Sequence, residues 1–371
     1  MTTVSRIRQL HDAGVSIWLD DLSRRLLQDG LLERYVADDG LSGVTSNPTI
    51  FAAALRAGDR YDAQLEELLA AGVRDPQALF FALALADVGD AARLLREAYD
   101  RSGGRDGYVS FQCTPDVAHD AQATVDQALH AWQRVDEPNL MIKVPATSAG
   151  ITATEELTAE GLNVNITLLF GASRYEQAAR AYQRGLERRA RRGRPIERVR
   201  SVASVFVSRI DAKVRELAVP TGERSPAIAH AQLVYLRACA LFDEPGWHAL
   251  RARGAHWQRP LWASTAPKTP GLADVAYVEA LSLPDTIVTA PEQTLTAFAD
   301  HGRPRPARVE ENAARRTIAR LAREDVDLEA VGAELEAAGL RSFAAAYSEI
   351  LERLEVRAAT IAGDTELSTA G

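Results

Sequence analysis

The run Leu140-Met141-Ile142-Lys143-Val144-Pro145 sets one charged amine at the centre of an otherwise apolar, strand-like segment. Apolar continuity of this kind suits a parallel strand buried on both faces. An ammonium ion in such a strand is costly unless it is paired or deprotonated. Deprotonation is also what a lysine nucleophile needs, because only the neutral amine attacks a carbonyl to form a Schiff base. The structural alternative is an edge-strand gatekeeper, or a lysine whose head snorkels to water. Taken alone the segment favours that alternative, and its setting in the chain reverses the balance.

Seven further short apolar runs flank it: Val15–Asp20, Leu41–Ser46, Gly107–Gln112, Leu162–Thr167, Arg200–Phe206, Pro260–Ser264 and Asp285–Thr289. Each is followed by a longer stretch with helical spacing. Eight such units predict an α/β fold of the (β/α)8 TIM-barrel type. Thr114-Pro115-Asp116 offers a helix start, with the apolar face continuing through Val117, Ala121, Val125, Ala128, Leu129 and Trp132. Ser173 with Glu176 has capping-box spacing. The basic run from Arg188 to Arg194 reads as a solvated helix end and a loop.

Arg303-Pro304-Arg305-Pro306 breaks the pattern after the eighth unit. Beyond it, Arg308–Glu324, Leu328–Gly339 and Ser342–Ala359 read as helices. The expected organisation is a catalytic barrel over residues 1–305, with residues 306–371 as a helical extension packed on it. A detached unit of about 60 residues would have only a marginal core.

The composition, 46% hydrophobic and 25% charged over 371 residues, is that of an ordinary globular protein. The net charge of −8 gives no electrostatic case for nucleic acid or an acidic membrane as partner. Cys113 and Cys239 stand far apart, and the seven histidines form no HxH or HExxH cluster, so no metal site is expected. The first residues lack a signal peptide's apolar core and no run reaches membrane-spanning length, so a cytoplasmic protein is expected. Monomer and homodimer stay equally open.

In such a barrel the C-terminal strand ends converge on one mouth, where chemistry is done. The polar residues there are Asp20, Asn47, Gln112, Lys143, Asn165, Thr167, Ser204, Arg209, Ser264 and Lys268. Buried amides and hydroxyls on apolar strands are costly unless mutually satisfied, and a shared catalytic mouth gives them a common reason. For a single Asn or Ser a structural role is sufficient. For Lys143 together with Asp20 on neighbouring inward faces it is not.

Six segments carry a resemblance: residues 17–24, 43–51, 141–147, 164–170, 201–210 and 260–265. They include Gly43-Val44-Thr45-Ser46-Asn47-Pro48-Thr49-Ile50-Phe51 and Val164-Asn165-Ile166-Thr167-Leu168-Leu169-Phe170. In this order, from about residue 5 to about residue 360, they resemble the transaldolases, in particular the longer actinobacterial type.

The resemblance implies a class I aldolase-type barrel that moves a dihydroxyacetone unit between sugar phosphates, without metal or organic cofactor. It assigns Lys143 to the Schiff base and Asp20 to the carboxylate that takes the hydroxyl proton. Asn47 and Asn165 would bind the dihydroxyacetone hydroxyls, with Ser204 lining the pocket. Thr167 would position a water. Arg209 would bind phosphate, with Ser264 and Lys268 as helpers. Phe206 is the transaldolase-like residue where fructose-6-phosphate aldolases place tyrosine. Asp21 points to the opposite face if the strand continues, which favours Asp20.

The third strand departs from the pattern. It reads Ser110-Phe111-Gln112-Cys113-Thr114-Pro115, so Gln112 stands where transaldolases have a proton-relaying glutamate. An amide can hold a water but cannot titrate. Loss of a general acid/base typically forfeits about 10²–10⁴-fold in rate unless another group serves. Three outcomes are compatible with Gln112: a transaldolase with an altered relay and acceptor, a fructose-6-phosphate-aldolase-like lyase, or a weakly active sugar-phosphate-binding relative.

Overall fold

The short β-branched and apolar runs form eight strands in the computed structural model, which describes residues 4–219 and 224–369. They are β1 (Ser16–Leu19), β2 (Gly43–Thr45), β3 (Tyr108–Gln112), β4 (Leu140–Pro145), β5 (Val164–Leu169), β6 (Ser201–Phe206), β7 (Arg259–Ala263) and β8 (Ile287–Ala290). Each pairs in parallel with the next, and β8 pairs with β1, closing the barrel. Every strand residue is buried, because helices cover the outer face and side chains fill the inner one.

The lower interior is filled by large side chains from alternating strand positions. Trp18 lies beside Tyr108, with ring centroids 6.2 Å apart. Gly43 makes this possible, since a Cβ there would stand 2.5 Å from the Trp18 ring. Arg259 closes the floor. It forms an ion pair with Asp106 at 3.2 Å and donates to Ser16 Oγ and the Thr286 carbonyl. With its donors shared among these acceptors, the buried guanidinium is compensated.

Local signals misplace some helix boundaries. Thr114 does not start the long helix: Pro115–Val117 is a single 3-10 turn, and the helix Ala121–Val135 begins after Asp120, whose carboxylate accepts from Ala123 N. Ser173 is not a cap either. The helix Ala172–Arg191 starts one residue earlier, and Ser173 N donates to Glu329 from the far end of the chain. A tertiary acceptor replaces the local one. The basic run ends this helix as expected, with Arg188 on Glu155 and Glu156, and Arg192 and Arg194 on Glu160.

Past the barrel, the helix Glu311–Arg323 packs on the helix Pro226–Leu241. The expected break at Gly339 does not occur: Leu328–Thr369 is one continuous helix. Near its start it meets Gly171 and Phe170, and at Gly339 it meets Leu168 and Arg209. It then reaches Gln77, which donates to Tyr347, and Arg56, which pairs with Glu349. The helix therefore crosses the C-terminal face of the barrel, from the β5–β6 side to the β2–β3 side.

Candidate active site

The strand register sets the inner face of the mouth. Gln112 on β3 stands level with Lys143 on β4, and Lys143 stands level with Asn165 on β5. Lys143 is 3% exposed and donates to the Ser46 carbonyl at 3.2 Å. Among the described residues no carboxylate lies within ion-pair distance of it. Burial pulls the amine below its ordinary pKa, and the negative charge of Asp20 opposes this only in part.

Asp20 leaves β1 at the mouth, its backbone N–H donating to Ala290 at 2.8 Å. Its Oδ1 accepts from Thr45 Oγ1 at 2.7 Å, and that hydroxyl lies 2.9 Å from Thr289 Oγ1. Asp21 turns away, to within 3.8 Å of Arg25. Burial raises its pKa to about 6, with Arg25 opposing and Glu292 adding to the rise. The two adjacent carboxylates thus occupy different environments.

The amides are held in fixed orientations. Ser204 Oγ donates to Asn165 Oδ1 at 2.6 Å, and Asn165 Nδ2 donates to Ser110 Oγ at 3.0 Å. Asn47 caps the helix Pro48–Arg56, its Oδ1 accepting from Ile50 N at 3.2 Å, which leaves the amide donors for other use. Gln112 Oε1 and Thr167 Oγ1 are buried without a hydrogen-bond partner among the described residues. Such atoms cost about 1–3 kcal/mol each when left unsatisfied, so a polar pair at a mouth marks a place for ligand or ordered water.

A cationic cluster borders this layer. Arg209 lies in the first turn of the helix Ser208–Glu216, its guanidinium 5.3 Å from the centre of the Phe206 ring. Phe206 in turn packs on Phe170, centroids 5.4 Å apart. Lys268 is lowered from its ordinary pKa by partial burial and by the charge of Arg209. The Ser208 and Ser264 hydroxyls are 2.9 Å apart, and Ser264 holds a left-handed backbone, φ 56°. Two cations, two hydroxyls and a helix N-terminus suit an anion such as phosphate.

The structure thus gathers Asp20, Gln112, Lys143, Asn165, Thr167 and Ser204 on the inner face, with Arg209, Phe206, Lys268 and Ser264 forming the cationic side. Asn47 adjoins the Ser46 carbonyl that holds Lys143. Sequence reading missed Thr45, Thr289, Ser110 and Ser208. Ser110 and Thr45 carried a usable signal, since each precedes a noted residue by two and therefore shares its face. Among the described residues, no group of three or more His, Cys, Asp or Glu side chains is placed to hold a metal. No helix among them is long and apolar enough to cross a membrane.

An inward buried lysine, a carboxylate near enough to oppose its pKa shift and a cationic cluster at the rim of a (β/α)8 barrel suit the Schiff-base class of enzymes. Residues 17–354 match the family model described as Transaldolase/Fructose-6-phosphate aldolase, and the chain belongs to that family. A protein named transaldolase from Frankia alni is 43% identical over 354 residues, 93% of this chain and 95% of that one. Similar proteins of the same name occur in Thiobacillus denitrificans, 44% identical over 92% of this chain and 97% of that one, and in Saccharopolyspora erythraea, 43% identical over 95% and 97%. The chain is accordingly an enzyme of the transaldolase type, in a family whose chemistry runs through a lysine Schiff base.

Proposed function

We propose that Lys143 is the Schiff-base nucleophile of a dihydroxyacetone transfer from a ketose phosphate to an aldose phosphate. The observation that carries this reading is the amine's burial with only a backbone carbonyl as partner among the described residues, near the inward carboxylate of Asp20. A lysine kept below its ordinary pKa is more often neutral and nucleophilic at working pH.

In this reading the amine adds to the donor's ketone and the oxygen leaves as water, giving an iminium on Lys143. Asp20 takes the proton of the hydroxyl two carbons away. The carbon–carbon bond then breaks, its electrons flow into the iminium, and an aldose phosphate departs. The resulting enamine attacks the aldehyde of the acceptor, Asp20 returns the proton to the new hydroxyl, and water releases the product. Asn165, locked by Ser204 and Ser110, and Asn47, through its free amide donors, hold the dihydroxyacetone hydroxyls. Gln112 and Thr167 hold the water by hydrogen bonds, leaving Asp20 as the titrating group. Arg209, with Lys268 and Ser264, binds the phosphate, over the Phe206 ring.

One observation favours a second reading. Gln112 supplies an amide where a titrating side chain would aid transfer, as in fructose-6-phosphate aldolases. In that case the enamine is protonated and dihydroxyacetone is released. Mixing a donor ketose phosphate with aldose phosphates of several lengths separates the two. Transfer gives a new ketose phosphate by mass, whereas free dihydroxyacetone without one supports cleavage.

The same reading takes residues 1–305 as the catalytic barrel and 306–371 as its helical extension, acting in the cytoplasm as a monomer or homodimer. Two free cysteines, Cys113 buried and Cys239 exposed, suit a reducing compartment.

A further inference from the structure

The C-terminal helix carries Gly332 and Gly339 well inside its length, where a glycine costs about 1 kcal/mol relative to alanine. Both stand where the helix passes the end of β5. A Cβ on Gly332 would lie 3.1 Å from Gly171 N and 3.3 Å from Phe170 Cβ. A Cβ on Gly339 would lie 2.8 Å from Leu168 Cδ2 and 3.4 Å from Arg209 Nη1. The cation at the mouth is among the three atoms nearest such a Cβ on Gly339 and is not among those nearest one on Gly332.

Leu168 has little freedom to retreat. It is fully buried, holds a left-handed backbone with φ 59°, and sits in the bulge where β5 shifts register against β6. Its neighbour Thr167 is part of the site. A methyl group at position 339 would therefore press on the leucine tip and fill the space beside the Arg209 guanidinium, bringing a carbon into van der Waals contact with Nη1. Charge-assisted hydrogen bonds to an anion depend on placement at the scale of tenths of an ångström.

We infer that Gly339 is a positioning residue for phosphate recognition: its missing side chain leaves the Arg209 guanidinium room to lie over Phe206 and face the mouth. The C-terminal helix is then one wall of the phosphate subsite. This rests on the reading of Arg209 as the phosphate ligand.

The test compares Gly339→Ala, Gly332→Ala and Arg209→Met in the full chain. Two quantities are read: affinity for inorganic phosphate by calorimetry, and kcat/KM for fructose 6-phosphate against that for fructose with a common acceptor. Gly339→Ala should weaken phosphate binding and raise KM for fructose 6-phosphate about three- to ten-fold, the loss of part of one charge-assisted bond. Its kcat/KM on fructose should stay within about two-fold of the parent, since additive effects end where contacts end. Gly332→Ala, whose added methyl has Gly171 and Phe170 as its nearest neighbours, should leave the ratio of the two substrates unchanged.

Equal losses on both substrates in Gly339→Ala, or the same selective loss in Gly332→Ala, would overturn the inference. Arg209→Met separates it from the reading beneath it. If that variant does not discriminate between the two ketoses, the phosphate assignment of Arg209 fails. If it discriminates and Gly339→Ala does not, only the role of Gly339 fails.

Discussion

Gln112 and Lys143 are register partners on adjacent strands, an amide and a buried amine side by side on the inner face of the barrel. Gln112 Oε1 has no partner among the described residues, so the amide beside the proposed nucleophile is free to hold a water or substrate. Proton traffic at that position is limited to what an amide can do: orient, donate and accept, without changing charge.

Gln112→Glu tests this limit. If proton relay restrains transfer, a titrating group beside Lys143 raises kcat for transfer by about ten-fold or more. The pH–rate profile of the variant then gains a new inflection absent from the parent. A fall in kcat with no new inflection indicates that the amide is tuned to the native reaction.

Asp20→Asn and Asp21→Asn form a paired comparison. Asp20 faces Lys143 and accepts from Thr45, whereas Asp21 faces Arg25 and Glu292. Losing the proton acceptor at position 20 should lower kcat about 10²–10⁴-fold. Asp21→Asn acts on stability. Its folded pKa of about 6 lies above the ordinary aspartate value of 3.8, so between these pH values the folded chain binds more protons than the unfolded one. Stability therefore falls as pH rises through this window. With the Asp21 side chain 24% exposed, Asp21→Asn should gain roughly 1–3 kcal/mol at pH 8 relative to the parent. The gain should vanish near pH 4; urea unfolding at the two pH values measures both.

Lys143→Met should raise stability while abolishing transfer. The folded amine titrates below its ordinary value because it is buried. At pH values below the folded pKa the protein bears the full cost of an interior ammonium. That cost is relieved as pH rises toward the ordinary lysine range, because there the unfolded chain binds more protons than the folded one. The variant should be more stable by about 1–3 kcal/mol at pH 7, with the difference shrinking toward pH 10. Urea unfolding across that range checks it; a variant less stable than the parent at pH 7 contradicts it.

Asp87→Ala probes the frame behind Asp20. Asp87 is buried, accepts from Arg24 Nε and Nη2 at 2.9 and 2.7 Å, and accepts from Tyr61 at 2.8 Å. Arg24 opens the helix that follows Asp20, so this pair anchors the β1 loop to the helix Pro76–Arg101. Removing one member of a buried pair should destabilise the protein by about 3–5 kcal/mol. Chemical unfolding gives the figure, and a loss near zero would mean that solvent reaches Arg24.

Much of the fold was legible because parallel barrel strands announce themselves as short apolar runs. All eight lie where their runs do, to within two residues at every boundary. The departures are physical. Asp285 reads as strand but holds a left-handed turn, φ 58°, before β8. Ser173 reads as a cap, yet its N–H finds Glu329, some 156 positions away in sequence, and no local pattern reports such an acceptor. Gly339 reads as a helix stop because glycine usually marks one. Here it is kept for the close approach of two elements. In the mouth, charged and amide residues stood out against their apolar strands. Thr45 and Ser110 offered only their two-residue spacing from a noted residue, and Thr289 offered nothing, because a hydroxyl in a strand is common and the folded register reveals what it touches.

The most direct test is reductive trapping. The chain has three lysines, Lys143, Lys213 and Lys268. Lys213 is paired with Glu334 at 3.0 Å outside the mouth, and Lys268 is exposed at its rim. Borohydride added with fructose 6-phosphate, followed by peptide mass spectrometry, should place a stable dihydroxyacetone or ketose adduct on Lys143 alone, and Lys143→Ala should abolish it. An adduct on Lys268, or turnover without any adduct, would contradict the account.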